Sequence, residues 1–294
     1  MGQANLPHRS SFPHRSSWAA LVERALVEDL GSGDVTSNAC LPADLCVDAE
    51  IEARAALVVC GLEVAAACFA EVDATLAVTL LRRDGEFVPA NTPLVRIVGN
   101  ARSVFAGERI ALNFLGRLCG IATQTRRYVE AVAGTRARIL DTRKTLPGWR
   151  ALDKYAVATG GGTNHRFGLY DAVLIKDNHI AAAGGVGAAV KAARASAAPH
   201  LALQVEVESL AQAEEALDAG ANLLLLDNRT PDELRGFVAR FGERVPLEAS
   251  GGVDLTNVRA VAESGVQRIS IGALTHSAPA ADVALEVRTR REVG

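Results

Sequence analysis

The sequence predicts an α/β protein, a barrel-like parallel sheet that is incomplete or irregular, preceded by a small α+β domain. Two observations carry the barrel. After Gly134, apolar runs end in turn at Asp141, Lys176, Glu206, Asp227, Glu248 and Gly272, 21 to 35 residues apart, with amphipathic segments filling the gaps. Strand–helix repeats of this length build parallel sheets with right-handed crossovers, and six units fall short of the eight of a complete barrel. An open doubly wound sheet is the alternative. The third observation is the different texture of residues 47–100, where short strand-like runs alternate with turn signals and one helix.

The chain starts MGQANLPHRSSFPHRSS, with PHRSS twice, no acid and no apolar stretch. This is no secretory signal. It shares an Arg/Ser-rich composition with transit peptides, but a disordered polar leader over 1–17 is the reading taken. From Trp18 to Leu30 the apolar positions 18, 21, 22, 25 and 26 have helical spacing, and Gly31 and Gly33 stop the helix. Strands are expected at Ala56–Cys60, Leu76–Leu81 and Leu94–Val98, with a helix near Leu62–Val72. Asp84-Gly85 and Asn91-Thr92-Pro93 mark turns. A long apolar helix is expected over 105–132. The small domain thus covers 18–133, the barrel 134–276, and 277–294 is expected to return to the small domain.

Within the barrel, Ser209 with Gln212 and Thr230 with Glu233 read as capping boxes, Pro231 taking the first helical position of the second. Gly220, Gly242 and Gly265 stand where helices should stop.

Bulk composition removes several function classes. The 294 residues are 49% hydrophobic, enough for a large core. A net charge of −3 and 4% aromatic residues argue against a nucleic-acid surface. No apolar run approaches the roughly 20 residues of a membrane span. The five cysteines include no CxxC pair, so they read as small buried hydrophobes in a reducing compartment, and the chain as cytoplasmic.

Against this neutral background, residues 141–180 gather Arg143, Lys144, His165, Arg166, Lys176 and His179. Three of these cations sit where an apolar run ends, the place where parallel α/β folds build active sites. That predicts a cationic pocket for a small, multiply anionic substrate. A single polar residue at a strand end is usually a turn or a cap. Six consecutive strands ending in Asp141, Lys176, Glu206, Asp227, Glu248 with Ser250, and Gly272 form a constellation instead. Ser250-Gly251-Gly252 and Ile271-Gly272-Ala273 put glycines after the last two strands, where barrel enzymes hold phosphate. Glu206 and Asp227 suit a divalent metal or sugar hydroxyls. A zinc site fits poorly, because His165 and His179 lack ligand spacing and no thiolate joins them. Gly160-Gly161-Gly162 reads as a helix stop and linker, with Thr163-Asn164-His165-Arg166 after it a substrate loop.

In order, DTRKT, KYAV.TGGG.NHR, LIKDNH, VEVES, LLLDN, EASGG and ISIGALTHS closely resemble the quinolinate phosphoribosyltransferase family, and EDLGSGDVTS and ERIALNFLGRLCGIAT upstream extend the resemblance over roughly residues 18 to 290. The resemblance implies transfer of phosphoribosyl from phosphoribosyl pyrophosphate to quinolinate with Mg²⁺, giving nicotinate mononucleotide, pyrophosphate and CO₂ in de novo NAD synthesis. It implies an atypical open α/β barrel behind the small domain, and a homodimer, in some members a hexamer, in which Arg109 reaches the neighbour's site. By the same resemblance Arg143, Lys144, His165 and Arg166, beside Thr142 and with Arg109, grip the two carboxylates. Lys176 reaches phosphate or pyrophosphate oxygens, with Lys144 sharing that duty. Glu206 and Asp227 meet the ribose hydroxyls and Mg²⁺, and Ser250–Gly252 with Ile271–Ala273 hold the 5′-phosphate. Cys119 departs from the family's more usual Ser, and only a packing change is expected from it.

Three rivals remain at this level. A nicotinate phosphoribosyltransferase without decarboxylation needs cations for one carboxylate only, whereas this chain offers four or five. A Schiff-base aldolase would use Lys176. A degenerate barrel serving as a binding protein would be free to lose charges that this chain keeps.

Overall fold

The computed structural model describes residues 11–291. In chain order the elements are α1 (Ala19–Leu30), α2 (Val35–Cys40), β1 (Cys46–Ala53), β2 (Leu57–Val58), α3 (Leu62–Val72), β3 (Ala77–Leu80), β4 (Phe87–Val88), β5 (Thr92–Asn100) and α4 (Ala101–Ala131). Then follow β6 (Arg138–Leu140), α5 (Arg150–Thr159), β7 (Val173–Ile175), α6 (Asp177–Ala183), α7 (Val186–Ser196), β8 (Leu203–Glu206), α8 (Leu210–Asp218) and β9 (Leu223–Asp227). The chain closes with α9 (Pro231–Phe241), β10 (Leu247–Ser250), α10 (Val258–Glu263), β11 (Arg268–Ser270), α11 (Ala273–His276) and β12 (Val283–Arg291). These elements form two compact units. Among the described residues one comprises 11–126 with 145–161 and 275–291; the other comprises 127–144 and 162–274.

The first unit is built on an antiparallel sheet of order β12-β1-β5-β3, with β2 and β4 as a separate pair. Strand β1 alternates apolar and acidic residues with period two, although Asp48 and Glu52 on its acidic face are buried as well. Ala49, Ile51 and Ala53 are fully buried. Asp48, Glu50 and Glu52 point the other way and meet arginines from neighbouring strands. Arg96 donates to both oxygens of Asp48 at 2.9 and 2.5 Å, and Arg288 donates to Glu50 at 2.9 Å and Glu52 at 2.6 Å. Strand β12 pairs with β1 over its whole length, so the C-terminal segment is a strand of this sheet.

Helix α4 carries the core of this unit with Val104, Ala111, Leu115, Leu118 and Ile121, all fully buried. Its Gly120 is required by close approach, because a Cβ there would lie 2.1 Å from the Pro279 carbonyl oxygen. Cys119 does more than fill space. Its Sγ accepts from the Cys60 N–H at 3.2 Å and donates to the Cys60 carbonyl at 3.4 Å, a pair of contacts that suits a hydroxyl equally well. Burial pushes this thiol up to about 12, so it stays a thiol. All five cysteines are free, and Cys60, Cys68 and Cys119 are buried as expected; Cys40 is exposed and Cys46 only partly buried, which corrects the reading for those two.

Two expected boundaries move. The leader reading over 1–17 fails from residue 11 onward, while residues 1–10 lie outside the described ones. Phe12 makes edge contacts with Trp18 and Tyr155, ring centroids 5.8 and 5.0 Å apart, and Trp18 Nε1 donates to the Pro13 carbonyl at 3.0 Å. Residues 145–161, expected in the barrel, belong to the first unit. Trp149 stacks on Phe114, the Tyr155 hydroxyl donates to Asp84 at 2.9 Å, and Gly160 sits so near α4 that a Cβ would come 2.3 Å from the Ala122 carbonyl. Gly160 is thus a packing glycine as well as a helix stop.

The second unit is a six-stranded parallel sheet of order β6-β11-β10-β9-β8-β7. Each strand overlaps its predicted apolar run, but β10 continues two residues past Glu248, which therefore lies within the strand and not at its end. Strands β7 to β11 lie side by side in chain order and β6 returns beside β11, so β6 and β7 are the two edges. That is the open barrel the sequence implied. Helices α6 and α7, α8, α9 and α10 fill the four gaps between β7 and β11. Of the two expected capping boxes, Thr230 with Glu233 is complete. At Ser209 only half forms, because the Gln212 side chain accepts from Glu208 instead. Gly220 and Gly265 follow their helices with φ of +109° and +95°, whereas Gly242 ends α9 with ordinary helical backbone.

Candidate active site

The site residues of the second unit hang from the carboxyl ends of its strands, which a parallel sheet gathers at one end. Asp141 follows β6 and is completely buried. Its Oδ1 accepts the His165 N–H at 2.8 Å and its Oδ2 accepts from Asn164 Nδ2 at 2.6 Å. Thr163 donates to the Ile139 carbonyl at 2.8 Å and accepts from the Asp141 N–H at 3.2 Å. The segment 163–166 therefore runs along the free edge of β6, and Asp141 fixes it there.

Thr142 Oγ1 accepts the Lys144 N–H at 3.0 Å, a local turn that sets the direction of Lys144. Arg143 and Lys144 are exposed. Arg166 donates to the Ala172 carbonyl at 3.2 Å. Burial, then the charge of Arg143, lower the Arg166 guanidinium from its ordinary value against the pull of Asp171. Two arginines close enough to feel each other make a strongly anion-seeking corner.

Lys176 follows β7, half-exposed, with Nζ 3.3 Å from Glu206 Oε2 at the end of β8. Its backbone N–H donates to His179 Nδ1 at 3.1 Å, so His179 caps α6. Glu206 Oε2 is buried and receives no well-aligned hydrogen bond. Asp227 ends β9, and its Oδ2 accepts from Asn228 Nδ2 at 2.6 Å. No group of three His, Cys, Asp or Glu among the described residues could hold a metal alone. Two carboxylates on adjacent strands still suit Mg²⁺, which keeps several waters and takes its remaining ligands from substrate oxygens.

Next to Asp227 the loop after β10 is shaped by glycine. Gly251 has φ +83°, and a Cβ there would come 2.3 Å from Asn228 Oδ1. Asn228 and Arg229 line a cavity of about 310 Å³ together with Ser250, Gly251, Gly252 and Asn257. After β11 the expectation narrows. Ile271 is buried and spends its N–H on the Leu140 carbonyl at 2.9 Å, so the phosphate reading of that loop rests on Gly272 and Ala273.

His165 is engaged on both sides of its ring. Its Nδ1 accepts the Arg166 N–H at 2.7 Å, and its Nε2 lies 3.1 Å from Glu248 Oε1. Both ring nitrogens face protein groups, a backbone N–H and a carboxylate, so His165 helps to frame the site. Arg109 is an exposed residue of α4 in the first unit. The sequence places Asp141 and Glu248 among the strand ends that face the mouth without giving either a specific task, and it does not single out Arg268. A carboxylate inside the apolar runs RILD and PLEAS was the available signal.

Glu248 is only 1% exposed. Burial raises its carboxyl, but its close contacts with His165, then Arg268, outweigh burial and hold it at about 2 instead of 4.5. A folded-state value below the ordinary one means the contribution to stability is complete above pH 4.5 and is lost as pH falls toward 2. Glu248→Gln should therefore be less stable than the parent by a few kcal/mol at pH 7, with the gap closing between pH 4.5 and 2 in thermal melts. A gap that stays constant over that range would exclude an ionised Glu248.

Residues 121–286 match the family model for the quinolinate phosphoribosyl transferase C-terminal domain, and residues 34–119 match that for its N-terminal domain. The chain belongs to the quinolinate phosphoribosyltransferase family. It is 44% identical over 272 residues to the nicotinate-nucleotide pyrophosphorylase [carboxylating] of Mycobacterium leprae, covering 90% of this chain and 95% of that one. It is 40% identical over 272 residues to the probable enzyme of the same name in Bacillus subtilis, covering 92% and 94%. The solved nicotinate-nucleotide pyrophosphorylase of Francisella tularensis superposes with a TM-score of 0.91 at 37% identity, over 97% of this chain and all of that one. As a member of this family the chain is a phosphoribosyltransferase, a glycosyl-transferring enzyme. The aldolase and degenerate-barrel readings fall away with that membership.

Proposed function

We propose that this chain joins the phosphoribosyl group of phosphoribosyl pyrophosphate to the ring nitrogen of quinolinate with loss of CO₂, releasing nicotinate mononucleotide and pyrophosphate for de novo NAD synthesis. The observation that carries this reading is the pairing of two charge sets at the ends of one sheet. The arginine corner of Arg143 and Arg166 suits a dicarboxylate, and the Glu206–Asp227 pair with Lys176 suits ribose, metal and pyrophosphate. Family relatives named as carboxylating enzymes support the decarboxylating over the nicotinate reaction.

Arginine forks bind carboxylates bidentately, so Arg143 and Arg166, with Thr142 beside them and Arg109 of a neighbouring subunit, hold the acceptor with its nitrogen toward the sugar. His165 supports this grip by fixing Arg166. Lys144 and Lys176 meet phosphate and pyrophosphate oxygens. Glu206 and Asp227 accept from the ribose hydroxyls, and Gly251, Gly252, Ser250, Gly272 and Ala273 approach the 5′-phosphate. Mg²⁺, held by Glu206 and Asp227 directly or through water, adds neutralisation of the pyrophosphate when bound.

Ribosyl transfer develops positive charge on the sugar and negative charge on the departing pyrophosphate. Preorganised cations at the leaving group are therefore the main device. After transfer the ring nitrogen is positive, so the adjacent carbon can release CO₂, keep the electron pair and take up a proton. No protein nucleophile is needed.

The reading is tested by product formation from phosphoribosyl pyrophosphate and Mg²⁺ with quinolinate or nicotinate in parallel. Nicotinate mononucleotide with matching CO₂ from quinolinate alone is expected; turnover of nicotinate would overturn the dicarboxylate pocket. We further propose a homodimer, which some family members assemble into hexamers, located in the cytoplasm. Among the described residues no helix is long and apolar enough to cross a membrane. If Arg109 works across the dimer, inactive Arg109→Ala and inactive Lys176→Ala subunits mixed in equal amounts should recover about a quarter of parental activity, since half the dimers would carry one intact site. No recovery despite demonstrated subunit exchange would place Arg109 outside the neighbour's site.

A further inference from the structure

We propose that Glu248 is a positioning residue for the acceptor half of the site: without touching substrate, it fixes the His165 ring and through it the segment that presents Arg166. The proposal rests on the acceptor reading above and extends it to a residue that reading leaves without work.

Four observations carry it. Glu248 stands in β10 between Leu247 and Ala249, both buried. A carboxylate there costs several kcal/mol of desolvation that an apolar residue would avoid, so its retention calls for a use. Its Oε2 accepts from Arg268 Nε at 2.7 Å, while Oε1 is buried, receives no well-aligned hydrogen bond and faces His165 Nε2 at 3.1 Å. The ring's other nitrogen accepts the Arg166 N–H at 2.7 Å, which leaves the ring proton on Nε2, toward Glu248. The ring thus couples the backbone of Arg166 to a fixed carboxylate on β10, while Asp141 on β6 holds the His165 N–H.

Register places this linkage at the level of the chemistry. Glu248 and Glu206 both pair with Leu225, so they lie in one layer of the sheet with β9 between them. Arg268 pairs with Glu248 in the same layer on β11. Asp141, His165, Glu248 and Arg268 therefore form one chain of contacts spanning β6, β11 and β10. It carries the arginine corner on one side and lies in the same sheet layer as Glu206. Its effect is on where the guanidinium of Arg166 stands, and a displacement of about 1 Å at such a group is enough to cost up to 10²-fold.

Two measurements test the proposal. In steady-state kinetics Glu248→Gln should raise the KM of the acceptor about tenfold or more while leaving the KM of phosphoribosyl pyrophosphate within about twofold. Equal changes in both constants, or a fall in kcat alone, would reduce Glu248 to a structural residue and overturn the proposal. The split is read on whichever pyridine carboxylate the parent turns over, so failure of the quinolinate reading in the parent is seen separately. The second measurement needs no variant of Glu248 and no substrate. Nitrogen-15 spectra of the parent, with His165 assigned by His165→Gln, should show a ring protonated at Nε2 and bare at Nδ1. A ring bare at Nε2, or protonated at both nitrogens with Nδ1 exchanging freely, would break the link to Arg166 and overturn it.

Discussion

Lys176→Ala is expected to lower kcat/KM by about 10²- to 10³-fold, the usual cost of removing one preorganised charge at a developing anion. The effect should fall mainly on kcat, because the leaving pyrophosphate gains charge only as the bond to the sugar breaks. Stability should change little. The side chain is 49% exposed and its partner Glu206 is 17% exposed, so their 3.3 Å contact contributes about 1 kcal/mol or less. Lys176→Arg should rescue little of the loss, since a planar fork cannot replace a compact ammonium at this distance from Glu206. Rate assays with a thermal melt of each variant decide the matter. Near-normal kcat in a folded Lys176→Ala protein would remove Lys176 from the leaving-group site.

That a lysine at a strand end could be singled out from sequence follows from the physics of parallel sheets. Strands β7, β8 and β9 lie in largely apolar runs, and Lys176, Glu206 and Asp227 stand at their carboxyl ends, whereas Glu248 lies second in β10 and is buried. Lys176, Glu206 and Asp227 were legible for this reason. What could not be read depends on partners distant in the chain. Strand β1 carries acids at positions 48, 50 and 52, which look like solvated surface until Arg96 and Arg288 are brought beside them from β5 and β12. The burial of Glu248 depends likewise on Arg268 and His165. The ring nitrogens of His165 face a backbone N–H and a carboxylate, and the carboxylate belongs to a strand more than 80 residues away in sequence. The expectation for 145–161 failed for a related reason. An amphipathic helix in a strand–helix repeat is assumed to cover its own sheet, and the residues that anchor α5 elsewhere, Phe114, Arg117 and Asp84, are 30 or more residues away in sequence.

Asp153 is the anchor of that helix, and its removal should be the most damaging single change to the first unit. Its side chain is fully buried and accepts from Arg117 Nε at 2.9 Å and Nη2 at 2.7 Å. It also accepts the Leu146 N–H at 3.3 Å. Arg117 in turn donates to the Thr275 carbonyl at 3.0 Å and lies over the Trp149 ring at 5.5 Å. One buried carboxylate thus joins α4, the turn leading into α5 and the chain just past β11. Breaking a buried pair by removing one partner leaves an uncompensated charge and costs about 3–5 kcal/mol. Asp153→Ala should lower the melting temperature by roughly 10 °C, at about 2–4 °C per kcal/mol for a protein of this size class. Because the penalty lies in the stranded guanidinium, Arg117→Met in the Asp153→Ala background should restore part of the loss. Additive losses in the double variant would show that the two side chains stabilise the unit independently, and that the bidentate pair does not hold α5 in place.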